Sequence, residues 1–144
     1  GKKPGVKKVR GKTRRGMAAP VRPLLFAYGT LRPEADHPMA RWLEARSDHL
    51  GPATCPGLLL DLGAYPGYII GNGTVHGDLL RLRDEDDLVV LDDYEGVPDL
   101  FVRETRAVRG PDGKVEAIVY RHYGPAKGRK IANGDWLAHV ARSG

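Results

Sequence analysis

Residues 24–31 read Leu24-Leu25-Phe26-Ala27-Tyr28-Gly29-Thr30-Leu31, and this stretch is the most informative about the fold. An apolar run that ends at Gly29 is typical of a buried strand entering a turn. Glycine lets the backbone turn so that successive N–H groups converge on one point, as they do in anion-binding sites. The turn at residues 28–31 is therefore a candidate binding site for an anionic substrate, with Arg32 as a possible added charge. By itself the signal is weak, because many strands end in Tyr-Gly.

The second informative stretch is Leu91-Asp92-Asp93-Tyr94-Glu95-Gly96. Acidic residues 84–87 predict the start of a helix, because carboxylates complement the positive end of the helix dipole, and Gly96 predicts its end. Glu95 then lies at the C-terminal end of the helix. That position, together with burial beside Tyr94, would raise its pKa toward the range of a general acid–base group. Taken alone, the pattern favours a surface glutamate before a capping glycine.

The rest of the chain predicts mostly antiparallel strands with a few short helices. Hydrophobic periodicity and turn residues indicate helices at 38–46 and 135–142, strands at 54–62, 74–83, 101–109 and 114–123, a loop at 63–67, and a tight turn at Gly71-Asn72-Gly73. Pro111-Asp112-Gly113 is typical of a hairpin between the last two strands. The predicted fold class is α+β, with a small, mixed and mostly antiparallel β-barrel.

Charge divides the chain into two parts. The 144 residues are enough for one domain with a single core, and the net charge is +5. Residues 1–16 hold eight basic residues and no acid, which leaves 15 basic against 18 acidic residues in the remainder. We expect a basic, disordered extension at residues 1–22 and a folded domain at 23–144. Met17-Ala18-Ala19-Pro20 is typical of a translation start, so residues 1–16 could be an addition to the native chain.

Two interpretations of the basic extension stay open. It could contact phosphates on nucleic acid or anionic lipid. It could equally be an incidental extension, and this is favoured because residues 1–16 contain no aromatic side chain to stack on a base. We therefore expect no nucleic-acid partner for the domain.

Several familiar kinds of site are missing from the sequence. There is no glycine-rich phosphate loop, no dinucleotide fingerprint, no nucleophile elbow and no pair of histidines at metal-ligand spacing. Cys55 is the single cysteine, which excludes an internal disulfide and is typical of the reducing cytoplasm, where we expect the protein to act. No apolar run is long enough to span a bilayer. We expect no metal, no cofactor and no membrane partner.

Taken together, these stretches resemble the gamma-glutamylcyclotransferase-like family, also called AIG2-like. The resemblance runs from about Leu24 to Trp136, and its motifs occur in the family's order. They are Tyr28-Gly29-Thr30-Leu31, Gly63-Ala64-Tyr65-Pro66-Gly67, Val75-His76-Gly77-Asp78-Leu79, Leu91-Asp92-Asp93-Tyr94-Glu95-Gly96, Phe101-Val102-Arg103, Ala117-Ile118-Val119-Tyr120 and Gly134-Asp135-Trp136.

The resemblance implies a compact mixed α/β barrel that cleaves gamma-glutamyl amides. In such enzymes the α-amine of the substrate attacks its own γ-carbonyl and releases 5-oxoproline and a free amine. Glu95 is the implied catalytic residue, which takes a proton from the α-ammonium and returns one to the leaving nitrogen. The implied substrate-binding residues are Tyr28, Gly29, Thr30, Leu31, Tyr65, Arg103 and Tyr123, with no metal.

Some assignments stay open within this resemblance. Phe101 stands where relatives often have tyrosine, so a hydroxyl contact is missing there. Arg103 could pair with Glu95 or lie on the strand surface, and Tyr120 could line the pocket or belong to the core. The alternative to an active enzyme is a non-catalytic small-molecule-binding or regulatory module that keeps the pocket.

Overall fold

A computed structural model describes residues 22–125 and 127–143 of the chain, with the side chain of residue 143 excepted. The predicted basic extension at residues 1–22 lies, apart from Arg22, outside the described residues. The elements follow one another as β1 (Leu24–Ala27), α1 (Pro38–Glu44), β2 (Ser47–Asp61), β3 (Pro66–Leu82), α2 (Asp87–Glu95), β4 (Phe101–Gly110), β5 (Gly113–His122), β6 (Arg129–Lys130) and α3 (Trp136–Ser143).

Strand pairing bends the sheet into a ring. β2 and β3 form a long antiparallel pair, β3 pairs with β1, and β4 and β5 form the antiparallel hairpin predicted at Pro111-Asp112. The ring closes through Leu25↔Ile118 between β1 and β5 and Thr54↔Arg109 between β4 and β2, each a single residue pair. The predicted α+β class with mostly antiparallel strands is confirmed, and the closure is a ring with two narrow seams.

β1 is buried on both faces because two core clusters meet on it. Phe26 belongs to the first cluster, which holds Val75, Val108 and Trp136. Leu25 belongs to the second, where the buried residues of α1 and α2 pack: Leu43, Leu88 and Leu91. This explains the apolar run at residues 24–28, since a strand covered on both faces does not alternate. It also places α2 directly against the strand that leads into the 28–31 turn.

The predicted tight turn at Gly71-Asn72-Gly73 was wrong, because these residues continue β3. Neither glycine has a positive φ, which a two-residue hairpin turn would require. A Cβ at Gly71 would lie 2.6 Å from Cγ of Leu58, and one at Gly73 would lie 2.9 Å from the carbonyl oxygen of Gly57. The glycines are needed because β2 passes close to β3 here, so their role is close packing of two strands.

The other predicted elements occur with shifted ends. β2 begins at Ser47, seven residues before the predicted strand, and the short strand β6 lies between β5 and α3, where no strand was predicted. None of the helices in the described part of the chain has the length and apolar character needed to cross a bilayer.

Candidate active site

A cavity of about 160 Å³ opens where β1 ends. It lies between the 28–31 turn, the start of β3, the C-terminal end of α2 and the start of β4. Its walls are mostly apolar or aromatic, and Glu95 is the one charged residue among them. The lining residues are Phe26, Ala27, Tyr28, Gly29, Thr30, Leu31, Tyr65, Pro66, Tyr94, Glu95, Leu100, Phe101 and Tyr120.

Glu95 is held at the cavity by the way α2 ends. Gly96 adopts the left-handed conformation at φ 72° and ψ 38°, as the sequence predicts for a capping glycine. Its N–H donates to the carbonyl of Asp93 and the N–H of Val97 donates to the carbonyl of Asp92, which together make a Schellman motif. The last helical residue therefore has a fixed position, and it lines the cavity.

The Glu95 carboxyl group is partly buried, and loss of hydration raises its pKa from 4.5 to about 7. Among the described residues, no side chain or backbone group gives the carboxylate a hydrogen bond or an ion pair. The charge of Glu95 also affects Tyr28. Burial is the main reason that the pKa of Tyr28 is raised, and repulsion from the Glu95 charge raises it further. A carboxyl group that titrates near neutral pH can both accept and return a proton.

The 28–31 turn faces the same cavity. The N–H of Arg32 donates to the carbonyl of Gly29 over 3.1 Å, which closes a β-turn. Within the described residues, the N–H groups of Thr30 and Leu31 have no hydrogen-bond partner. A Cβ at Gly29 would lie 2.7 Å from Cγ of Pro66, so only glycine lets the turn approach β3 this closely. Free N–H groups at a lined cavity fit the predicted anion-binding turn.

Two tyrosines in the cavity wall donate their hydroxyl protons in hydrogen bonds to other groups of the protein. The Tyr28 hydroxyl donates to the carbonyl of Tyr120 over 2.7 Å and accepts from the N–H of Tyr68 over 3.2 Å. The Tyr120 hydroxyl donates to Oδ1 of Asp92 over 2.8 Å, and Arg103 pairs with the same oxygen at 3.0 Å. Neither phenol has a proton to offer a ligand, so both rings shape the wall without donating into it.

Thr30 and Tyr94 are joined to a residue behind the cavity wall. Oγ1 of Thr30 lies 2.7 Å from the hydroxyl oxygen of Tyr94. That hydroxyl lies 3.2 Å from Nε2 of His37, whose ring meets the Tyr94 ring edge-on at 5.6 Å between centroids. His37 is the N-cap of α1, and its Nδ1 accepts the N–H of Met39 over 3.0 Å.

The structure brings together most of the residues that the sequence analysis named. Tyr28, Gly29, Thr30, Leu31, Tyr65 and Glu95 all line the cavity. Arg103 and Tyr123 do not line it: Arg103 pairs with Asp92, and Tyr123 is 62% exposed. The contact considered between Arg103 and Glu95 is absent among the described residues.

Arg32, considered as an added charge, does not line the cavity either. Its guanidinium group is buried and donates to Asp78 over 2.9 Å and to Asp135 over 3.1 Å. Those two carboxylates hold it on the far side of the turn, so its charge is neutralised within the protein.

Sequence reasoning missed two features of the site. Tyr94 was expected only as part of the buried face of α2, and His37 was not singled out at all. A signal for His37 was present, since it immediately precedes Pro38 at the start of a predicted helix, where a capping side chain is expected. Phe101 lines the cavity, with its ring centroid 6.1 Å from that of Tyr65.

The described residues contain no group of three or more His, Cys, Asp or Glu side chains arranged to hold a metal ion. Cys55 lies outside the cavity, buried in the first core cluster, where its thiol contacts the Tyr68 hydroxyl at 3.5 Å. Burial raises the pKa of this thiol, which opposes the formation of a nucleophilic thiolate.

Comparison with known proteins gives a consistent result. The profile of the family described as "Gamma-glutamyl cyclotransferase, AIG2-like" matches residues 25–138. A provisionally named gamma-glutamylcyclotransferase of Vibrio cholerae is 38% identical over 120 residues, which cover 81% of this chain and 97% of the relative. The gamma-glutamylcyclotransferase family protein YtfP of Escherichia coli is 34% identical over 115 residues, which cover 78% of this chain and 95% of the relative.

The fold is also found among solved structures. The crystal structure of YkqA from Bacillus subtilis superposes with a TM-score of 0.69 at 26% sequence identity. The match covers 86% of this chain and 44% of YkqA, so the chain spans less than half of that protein.

Proposed function

The chain belongs to the gamma-glutamyl cyclotransferase, AIG2-like family, and we propose that it is an active enzyme that converts a gamma-glutamyl amide to 5-oxoproline and a free amine. One observation carries the proposal. Glu95, with a pKa of about 7 and no hydrogen-bond partner among the described residues, lines the same cavity as the free N–H groups of Thr30 and Leu31. A proton-transfer group and an anion-binding turn thus share one small cavity.

The reaction needs few protein groups because the substrate carries its own nucleophile. The α-amine nitrogen attacks the γ-carbonyl carbon and forms a five-membered ring, and the bond between that carbon and the amide nitrogen breaks. The α-ammonium loses one proton before the attack and a second as the lactam N–H forms. The departing nitrogen gains one proton to leave as an amine and a second when that amine ionises at neutral pH, so a single group can carry protons from one nitrogen to the other. Ring closure is intramolecular, and the protein has mainly to hold the substrate in its bent form.

Glu95 suits this proton transfer. When the pKa of a carboxyl group lies near the working pH, a substantial fraction of it is ionised and can remove the proton. Once protonated, the same group is a strong enough acid to return a proton. Loss of hydration in the cavity is what moves the pKa of Glu95 to about 7. The Schellman motif at Gly96 keeps the carboxyl group in place between the two transfers.

The 28–31 turn suits the glutamyl carboxylate. Thr30 and Leu31, whose N–H groups have no partner among the described residues, line a cavity that has no cationic side chain among its lining residues. Hydrogen bonds from such groups to a carboxylate are stronger than those to a neutral oxygen. The apolar walls formed by Phe26 and Phe101 exclude water from the rest of the substrate and strengthen these contacts.

The test is release of 5-oxoproline from a panel of gamma-glutamyl amines and gamma-glutamyl amino acids. We expect the wild-type protein to release it from at least one member, and Glu95→Gln to be slower by a factor of about a hundred or more. Asp93→Asn is the matched control, because it makes the same change on an exposed residue of the same helix and should keep full activity.

Two outcomes would contradict the proposal. One is equal release by the wild-type protein and Glu95→Gln. The other is binding of a gamma-glutamyl compound, seen by a thermal shift, without any turnover across the panel, which would support the non-catalytic binding module.

A further inference from the structure

The first helix fixes the proton position on His37. Nδ1 of His37 accepts the N–H of Met39 over 3.0 Å as the N-cap of α1, and Pro38 between them has no N–H to offer. A ring nitrogen that accepts a hydrogen bond carries no proton. The neutral imidazole therefore has its proton on Nε2.

That proton sets the direction of the next contact. Nε2 of His37 lies 3.2 Å from the hydroxyl oxygen of Tyr94, so the imidazole donates and the phenol accepts. The phenol proton is then available for Oγ1 of Thr30, 2.7 Å away. When Tyr94 donates to Thr30, the Thr30 hydroxyl proton is left for a different acceptor.

Apart from the Tyr94 hydroxyl oxygen, the Thr30 proton has no acceptor within the described part of the protein. Thr30 lines the cavity, and its one side-chain hydrogen bond there is the contact with Tyr94. The hydroxyl protons of Tyr28 and Tyr120, by contrast, are used by a main-chain carbonyl and by Asp92. Thr30 is thus the hydroxyl donor beside its own free N–H and that of Leu31.

We propose that His37 is a positioning residue for substrate: through Tyr94 it holds the Thr30 hydroxyl as a donor into the cavity, where it binds the carboxylate of the glutamyl group. The chain of hydrogen bonds makes the site selective for an acceptor group at this point. Naming that acceptor as the glutamyl carboxylate rests on the proposed function, whereas the direction from His37 to Tyr94 rests on the geometry of the α1 N-cap.

The direction of the chain can be measured on the uniformly ¹⁵N-labelled protein. Long-range ¹H–¹⁵N spectra distinguish a protonated from an unprotonated ring nitrogen, and we expect Nε2 of His37 to carry the proton and Nδ1 to be bare. A proton on Nδ1 would overturn the proposal, because His37 would then have no donor for Tyr94.

The effect of the Thr30 hydroxyl on ligand binding can be measured with 5-oxoproline, which carries the same carboxylate and does not react. We expect Thr30→Val to weaken its binding about tenfold or more, since a hydrogen bond to a charged group is lost. Tyr94→Phe should weaken it about threefold, because Thr30 is then free to turn away. Thr30→Ser keeps the hydroxyl and should recover most of the binding that Thr30→Val loses.

His37→Asp separates positioning from helix capping. Aspartate is a good N-cap and should keep the helix, but it has no proton to donate to Tyr94. The proposal expects about threefold weaker binding with an unchanged melting temperature, and no further loss when Tyr94→Phe is added. Wild-type affinity in His37→Asp, or independent losses in the double variant, would overturn it.

This design separates the two proposals. Turnover that is absent while 5-oxoproline binding still depends on Thr30, Tyr94 and His37 would end the proposed enzyme activity and leave the positioning role intact. Turnover that is present while binding and KM are the same in Thr30→Val as in the wild-type protein would end the positioning role alone.

Discussion

The Tyr28 hydroxyl donates a hydrogen bond to the main-chain carbonyl of Tyr120 over 2.7 Å. It also accepts the N–H of Tyr68 over 3.2 Å, so one phenol links the end of β1 to β5 and to β3 beneath the cavity. Tyr28 is 7% exposed, and burial raises its pKa well above 10.0. The contribution of Tyr28 to the site therefore comes from its ring and main chain, and its hydroxyl serves the fold.

Tyr28→Phe should reduce the stability of the protein more than its activity. The N–H of Tyr68 and the carbonyl of Tyr120 would lose a buried partner, which costs about 1 to 3 kcal/mol. Urea denaturation measures this loss, and the 5-oxoproline assay should give a KM close to that of the wild-type protein. Tyr123→Phe removes the hydroxyl of an exposed tyrosine and should leave both quantities unchanged. A fully stable Tyr28→Phe with a strongly raised KM would mean that the hydroxyl binds substrate.

The activity should depend on the protonation of Glu95. Glu95 must be a carboxylate to take the proton from the α-ammonium, and its pKa is about 7. We expect kcat/KM to rise about tenfold per pH unit below pH 7 and to level off above it, in rate measurements between pH 5 and 8. Whatever rate is left in Glu95→Gln should lack this dependence. A profile centred near pH 4.5 would mean that Glu95 is hydrated like a surface carboxylate.

Gly29→Ala should weaken substrate binding by moving the 28–31 turn. The new Cβ would lie 2.7 Å from Cγ and 2.8 Å from Cδ of Pro66, so the turn and the ring must separate. Displacing the Thr30 and Leu31 N–H groups by a few tenths of an ångström should raise KM about tenfold. Adding Pro66→Ala removes the obstructing ring atoms and should recover part of the loss. If the double variant is no better than Gly29→Ala, contact with Pro66 is not the reason that glycine is needed.

The sequence predicts those parts of the site whose signals are local. The strand at residues 24–28 and the helix that ends at Gly96 both have their start or stop residues within a few positions, and each ends in a residue of the cavity wall. The place of Glu95 at the end of this helix could be predicted because the Schellman motif depends on residues 92–97 alone, whereas its catalytic role was implied by the family resemblance.

The rest depends on contacts between distant parts of the chain. Thr30 and Tyr94 are 64 positions apart, and nothing near either residue indicates that their hydroxyl groups meet. Arg103 was expected at the substrate, but it forms an ion pair with Asp92. This pairing depends on α2 lying against β4 and β5. Gly71-Asn72-Gly73 has the composition of a turn, yet the approach of Leu58 from β2 makes it a strand.

The raised pKa of Glu95 should also show in the pH dependence of stability, which tests the burial of the carboxyl group without any substrate. Glu95 has a pKa of about 7 in the folded protein and an ordinary value of 4.5. Below pH 4.5 the group is protonated in both the folded and the unfolded chain, so it does not reduce the free energy of unfolding. Between pH 4.5 and 7 the unfolded chain releases the proton while the folded protein keeps it, so folding becomes less favourable as the pH rises.

Glu95→Gln removes this cost, because the amide resembles the protonated acid at every pH. At pH 8 we expect the variant to be about 1 to 3 kcal/mol more stable than the wild-type protein, and at pH 4 we expect the two to be equal. Urea denaturation at both pH values measures the difference, with Asp93→Asn as the exposed control that should show no such gain. A variant that is no more stable at pH 8 would mean that the Glu95 carboxylate is not desolvated. The pKa that fits it for proton transfer would then have no physical basis.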